Sequence, residues 1–223
     1  MTDLIQSLHT YISKTKANTF LAPLLSLYCI EFEKQRPYVA IFENVIAKIK
    51  KEDLHSLIIF DGLTVIQIKS VDGNIKNIES FALNEFQLEN GLKLRYKDKT
   101  ILLKQLKNDM KFLYKNNLTN YQIHLIFSGR KSPNVFNDFN YQRRKDYNRF
   151  ETYIEGYICK VTIVNYLNKS KENMVVVDNL SIESVNSINH RLKKGNSINT
   201  ENFSIQNPEN YAKTLMEAIQ ELL

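Results

Sequence analysis

A basic and aromatic segment between residues 130 and 149 is the part of the sequence best suited to chemistry with a polyanion. Its six basic residues are Arg130, Lys131, Arg143, Arg144, Lys145 and Arg149. Only Asp138 and Asp146 oppose them, so the segment carries +4 of the formal net charge of +6. Guanidinium groups fit phosphate oxygens, and the rings of Tyr141 and Tyr147 could stack on unpaired bases. The segment therefore predicts a protein that binds DNA or RNA.

Other interpretations of this segment stay open at the level of sequence. A solvated basic helix whose aromatic rings face the core has the same composition, and so does a surface that meets an acidic protein or a membrane. No sequence-specific binding motif accompanies the cations, so the type of nucleic acid is not predicted.

A second group of residues, Asp53 and the triplet Gln67-Ile68-Lys69, falls on two neighbouring predicted strands. It resembles the PD-(D/E)xK nuclease superfamily, in the variant with glutamine in the ExK motif, over residues 31–130. The resemblance implies a Mg²⁺-dependent endonuclease of the restriction or defence type, which hydrolyses phosphodiester bonds. It implies catalytic roles for Asp53, Gln67 and Lys69, with Lys69 orienting the attacking water.

The same resemblance implies a metal site that contains Asp53, Gln67 and Glu43, with Glu33 as an alternative to Glu43. The sequence departs from the family pattern because Glu52 stands where the motif has proline. Glutamine in place of an acid also leaves few carboxylates for the metal.

The geometry of the predicted hairpin decides whether these side chains can meet. A three-residue loop over 60–62 would place Asp53 opposite Lys69, on the same face as Gln67. A two-residue loop, Asp61-Gly62, would pair Leu54 with Lys69 and turn Asp53 to the other face. The sequence leaves both loops open, and the nuclease site requires the first.

A non-catalytic interpretation competes with the nuclease. About seven short strands followed by a helix that ends at residue 117 resemble the pleckstrin-homology-like plan, which implies a module that binds a protein, peptide or lipid headgroup. Other chemistry has little support, because the four histidines are scattered and the six glycines are too few for a phosphate-binding loop.

The periodicity of apolar residues predicts an α+β fold with an N-terminal helix, an antiparallel β-meander and a mixed α/β C-terminal half. The helix is predicted over 3–35, with a kink at Pro23, and the meander over 39–106 with Asp-Gly and Asn-Gly turns. The later elements are predicted as a helix over 104–117, strands over 121–128, 157–166 and 174–180, a helix over 182–194, and a last helix that opens at Asn207-Pro208. A boundary near residue 118 would divide the chain into 1–118 and 119–223, unless it forms one continuous domain.

Composition indicates a cytoplasmic protein with a sizeable core. Hydrophobic residues make up 43% of the 223 residues, and no stretch approaches the roughly 18 apolar residues that a membrane helix needs. Cys29 and Cys159 both lie in apolar runs, which predicts two reduced core cysteines.

Overall fold

The computed structural model describes residues 2–15, 18–30, 38–46, 49–62, 64–71, 74–88, 94, 96–129, 149–151, 157–167, 174–177 and 207–223. Within these ranges the helices are α1 (Thr2–Thr15), α2 (Tyr96–Lys115) and α3 (Pro208–Leu222). The strands are β1 (Leu24–Cys29), β2 (Tyr38–Phe42), β3 (Leu54–Asp61), β4 (Thr64–Val71), β5 (Asn74–Ala82), β6 (Gln122–Ser128), β7 (Arg149–Glu151), β8 (Ile158–Val164) and β9 (Met174–Val177).

Two sheets organise these strands. The larger sheet is antiparallel and has the order β5-β4-β3-β6-β8-β7, so it contains strands from both sides of residue 118. The smaller sheet has the order β1-β2-β9, with β1 antiparallel and β9 parallel to β2. The predicted α+β class, with its N-terminal helix and meander, is confirmed, while the division into two regions stays a prediction.

The apolar core lies between the large sheet and the three helices. Its fully buried side chains include Ile58 and Phe60 of β3, Leu106 of α2 and Leu215 of α3. A smaller cluster around Ile126 covers the opposite face of the sheet. The helices therefore pack against one face of the central strands β3, β6 and β8.

The segment that follows α1 differs from the prediction. Residues 24–29 form strand β1 instead of continuing the predicted helix, and β1 pairs with β2 from Leu24↔Phe42 to Cys29↔Tyr38. Helix propensity is a weak preference, and pairing with the next strand of the chain overrides it here. Cys159 is buried as predicted, but Cys29 lies exposed on β1, so the prediction that both cysteines are core residues is wrong for Cys29.

Helix α2 is longer than its prediction. Residues 100–106, predicted as a strand, belong to a helix that begins at Tyr96 and ends at Lys115. Leu102, Leu106 and Leu113 are all fully buried, and their spacing of four and seven residues is that of one helix face. Residues 85–88, predicted as a strand, also lie outside any strand.

Helix α3 confirms its prediction closely. The Asn207 side chain accepts a hydrogen bond of 2.9 Å from the backbone N–H of Glu209, and Pro208 occupies the first turn. The Tyr211 hydroxyl donates to the carbonyl of Tyr121 at 2.6 Å and accepts from the N–H of Gly62 at 3.2 Å. Helix α3 is therefore joined to the large sheet by hydrogen bonds as well as by packing. The predicted helix over 182–194 lies outside the described residues.

Asp109 ties α1 and the segment after it to α2. Its carboxylate is fully buried and accepts hydrogen bonds from four donors: the Tyr11 hydroxyl at 2.6 Å, the Thr19 hydroxyl at 2.7 Å, the Phe20 backbone N–H at 2.8 Å and the Gln105 amide at 3.0 Å. Burial raises the pKa of Asp109 to about 6, although the four hydrogen bonds act in the opposite direction. The network fixes how α1 lies on α2.

Candidate functional site

The predicted nuclease residues do not meet across the hairpin. The β3–β4 register pairs Ser56 with Lys69 and Asp61 with Thr64, so residues 62 and 63 connect the strands. Gly62 has a φ of 61°, which glycine adopts without strain. Neither predicted loop is therefore correct, and Asp53 is not opposite Lys69.

Asp53 lies before the hairpin, in a single 3-10 turn over Lys51–Asp53. Its carbonyl accepts a hydrogen bond of 2.7 Å from the N–H of Gly129, which gives the residue a structural role at the edge of β6.

The other two predicted catalytic residues lie on β4. Gln67 is paired with Ile58 of β3, and the Lys69 ammonium lies 3.9 Å from the Glu79 carboxylate. Lys69 is thus half of an exposed ion pair on neighbouring strands.

The predicted metal site is not assembled in the described part of the chain. Glu43 follows β2, and its backbone N–H donates to the carbonyl of Pro23 at 2.8 Å. Among the described residues, no three His, Cys, Asp or Glu side chains are grouped in a way that could hold a metal ion. Glu33 lies outside the described residues.

Most of the predicted nucleic-acid surface also falls outside the described ranges. This applies to Arg130, Lys131, Tyr141, Arg143, Arg144, Lys145 and Tyr147. Arg149 begins strand β7, where it pairs in register with Lys160. The assignment of these residues stays a prediction.

The outer face of α2 carries a continuous stripe of positive charge. Five exposed residues form this surface, hereafter the α2 lysine face: Lys97, Lys104, Lys107, Lys111 and Lys115. At about 100° per residue, their Cα atoms fall within an arc of about 80°, and they extend over about 27 Å of the helix axis. The sequence of α2 therefore places five ammonium groups side by side.

No carboxylate of α2 offsets this charge at the surface. The two acidic residues of the helix, Asp98 and Asp109, are 1% and 0% exposed. In the part of the chain that the structure describes, none of the five lysines forms an ion pair. The α2 lysine face is therefore a one-sided basic surface, which attracts polyanions at low and physiological salt.

Two exposed apolar side chains flank the α2 lysine face at its N-terminal end. Tyr96 is 86% exposed and Ile101 is 47% exposed. By helical geometry they lie on opposite sides of the lysine stripe. The surface thus combines positive charge with an aromatic and an aliphatic group.

Sequence reasoning missed this surface because it assigned residues 100–106 to a strand, which separated Lys97 from the later lysines. The spacing of the lysines could have revealed it, because Lys97, Lys104 and Lys111 recur every seven residues. Three leucines, Leu102, Leu106 and Leu113, recur at helical spacing on the opposite face. The net charge of the segment also gave no indication of the α2 lysine face. Asp98 and Asp109 lower that net charge, although both are buried in the fold and do not reduce the charge at the surface.

A polar ladder on β6 holds a buried histidine. His124 is 5% exposed, and its Nε2 lies 3.2 Å from the Gln122 Oε1. Gln122 also donates to the Asp61 carboxylate at 3.1 Å. Burial lowers the pKa of His124 to about 4, so the ring is neutral at neutral pH.

This histidine makes stability depend on pH. Because the folded protein binds the His124 proton less readily than the unfolded chain, its contribution is complete above pH 6.5 and is lost as the pH falls towards 4. Because of this residue, we expect the free energy of unfolding to be about 2 kcal/mol lower at pH 5 than at pH 7. Urea unfolding of wild type and His124→Gln at both pH values measures the effect. The contribution of Asp109 to the pH dependence is the same in both proteins and cancels in the difference between their free energies of unfolding. The matched control is His9→Gln, at an exposed position of α1; an equal pH slope in all three proteins would contradict the prediction.

Comparison with known families identifies the class of protein. The family model described as PIP5K, Phosphatidylinositol-4-phosphate 5-Kinase, matches residues 1–174, which is most of the chain. The chain belongs to this family. No curated protein matches the sequence significantly.

The family match corrects the functional predictions made from sequence. It is a match to a lipid kinase family, not to the PD-(D/E)xK nucleases, so the nuclease, restriction and defence predictions are wrong. It also overturns nucleic-acid binding and the pleckstrin-homology-like alternative as the function of the chain. In the described ranges, no helix is long and apolar enough to cross a bilayer. The cytoplasmic location stays a prediction.

Proposed function

We propose that this chain is a lipid kinase-like protein that acts on phosphatidylinositol 4-phosphate and transfers a phosphoryl group to the 5-hydroxyl of its headgroup. The observation that carries the proposal is the family match over residues 1–174. The matched range runs from α1 to the start of β9 and includes the whole six-stranded sheet. It therefore rests on the body of the fold and not on a short motif.

Phosphoryl transfer is accelerated mainly by positioning and by neutralising charge on the transferred group, which usually requires a nucleotide and Mg²⁺. The described residues do not fit such a site. Among them, no three His, Cys, Asp or Glu side chains are grouped so that they could hold a metal ion. In the sequence, the two closest glycines, Gly62 and Gly73, are eleven positions apart, too far for a G-x-G-x-x-G loop. The nucleotide and its metal are therefore not assigned to particular residues, and Mg²⁺ stays a proposal.

The reaction is tested with the full chain, radiolabelled ATP, Mg²⁺ and a water-soluble short-chain phosphatidylinositol 4-phosphate. We expect label in the lipid product, identified chromatographically as the 4,5-bisphosphate, and much less product from phosphatidylinositol without the 4-phosphate. No labelled lipid, or equal labelling of both lipids, would overturn the proposal.

A contaminating kinase is excluded by a stability control. The Asp109→Ala variant is expected to melt at a lower temperature than wild type, because it loses the acceptor of four hydrogen bonds. Activity that belongs to this chain should be lost at a correspondingly lower temperature in the variant. Identical inactivation curves for both preparations would assign the activity to another protein.

A further inference from the structure

We propose that the α2 lysine face docks this chain onto the surface of a bilayer that contains anionic lipids. The inference rests on the proposed function, because a phosphatidylinositol phosphate lies in a membrane and the chain must approach that membrane to reach it. It goes further by assigning the contact to one helix face.

The spacing of the charges suits an extended anionic surface. Neighbouring lysines of the face are three to seven residues apart, or about 4.5–10.5 Å along the axis. These separations are close to the Debye length of about 8 Å at physiological salt, so the ammonium groups act on the same region of surface potential. A stripe of about 27 Å can contact several lipid headgroups at once.

The fold fixes the direction in which this charge points. The opposite side of α2 is locked into the core by the fully buried Leu102, Leu106 and Leu113, and Asp109 ties the helix to α1 and the segment after it. The helix cannot rotate its lysines away from solvent without breaking these contacts. The five charges are therefore presented together, without the entropy cost of ordering a flexible basic segment.

The flanking side chains favour a lipid surface over other polyanions. Tyr96 and Ile101 are exposed beside the lysines, and aromatic and aliphatic groups partition into the boundary between headgroups and acyl chains. The cations of the face are all lysines, which act as point charges and lack the planar fork that arginine offers to a nucleic-acid phosphate. Lysines beside one exposed aromatic and one exposed aliphatic side chain suit the headgroup region of an anionic bilayer.

The test measures binding of the full chain to sedimented vesicles of phosphatidylcholine with phosphatidylserine. These vesicles contain no phosphatidylinositol phosphate, so the result does not depend on whether the chain transfers phosphate. We expect wild type to bind in a salt-sensitive manner, and Lys107→Gln/Lys111→Gln to bind about 30-fold more weakly, since each surface lysine contributes roughly fivefold.

The matched control is Lys50→Gln/Lys76→Gln, which removes two exposed lysines from other elements. Both variants have a formal net charge of +4, from +6 minus 2, so a general charge effect would weaken them equally. We expect the control to bind within about twofold of wild type. Melting curves verify that both variants are folded.

The outcomes separate this inference from the proposed function. Absence of wild-type binding to the anionic vesicles, or equal losses in both variants, would overturn the docking surface, while the soluble short-chain substrate decides the reaction independently. Loss of RNA binding by Lys107→Gln/Lys111→Gln with undiminished vesicle binding would also overturn it, in favour of a nucleic-acid surface. If neither lipid is phosphorylated but vesicle binding is weakened only by Lys107→Gln/Lys111→Gln, the proposed reaction is wrong and the docking surface is retained.

Discussion

Replacing Asp109 by alanine is expected to lower the free energy of unfolding by about 4 kcal/mol at pH 7. The substitution removes the acceptor for four donors on three parts of the chain, including the buried N–H of Phe20. A buried donor without a partner costs about 1–3 kcal/mol, and the partly exposed Tyr11 and Gln105 side chains can recover part of this with water. Urea unfolding followed by circular dichroism measures the change.

The neighbouring residue provides the control for Asp109→Ala. Asn108 lies on the exposed side of the same helix turn, so Asn108→Ala should change stability by no more than about 0.5 kcal/mol. A loss of under 1 kcal/mol for Asp109→Ala would show that the four hydrogen bonds do not hold α1 on α2.

Replacing Tyr211 by phenylalanine is expected to cost about 3 kcal/mol, because it leaves two backbone groups without their partner. The Tyr211 hydroxyl bonds the carbonyl of Tyr121 and the N–H of Gly62, and these contacts join α3 to the start of β6 and to the β3–β4 turn. The ring itself stays, so its packing against Tyr121, with centroids 4.9 Å apart at 87°, is unchanged. The loss therefore reports the hydroxyl alone.

The partner ring offers a matched control with the opposite expectation. The Tyr121 hydroxyl is buried and has no hydrogen-bond partner among the described residues. Tyr121→Phe removes a desolvated polar group, so we expect unchanged or slightly increased stability. Equal destabilisation by the two substitutions would contradict the assigned hydrogen bonds.

The elements that the sequence predicted correctly carry their signals locally. Asn207, Pro208 and Glu209 specify the start of α3 through capping, a fixed φ and an early acid, and none of these depends on distant residues. Strand β1 could not be recognised in the same way, because its apolar run fits a helix or a strand and only pairing with β2 decides.

The nuclease prediction failed for a similar reason. It depended on the register of one hairpin, and Asp61-Gly62 is a strong turn signal, but Asp61 still belongs to the strand and pairs with Thr64. A shift in the register changes which residues face each other, and nothing in the local sequence fixes it. The α2 lysine face was within reach of sequence reasoning, but the burial of Asp98 and Asp109 was not.

The central claim, that α2 meets an anionic membrane, is tested most directly by a fluorescent probe on the helix. The chain contains no tryptophan, so Tyr96→Trp introduces a single indole beside the α2 lysine face, and Tyr28→Trp places one on the exposed strand β1 as a control. We predict that phosphatidylserine vesicles shift the emission of the Tyr96→Trp variant to shorter wavelengths and leave that of the Tyr28→Trp variant unchanged. An unchanged emission from the Tyr96→Trp variant while the protein is bound to the vesicles would contradict the account.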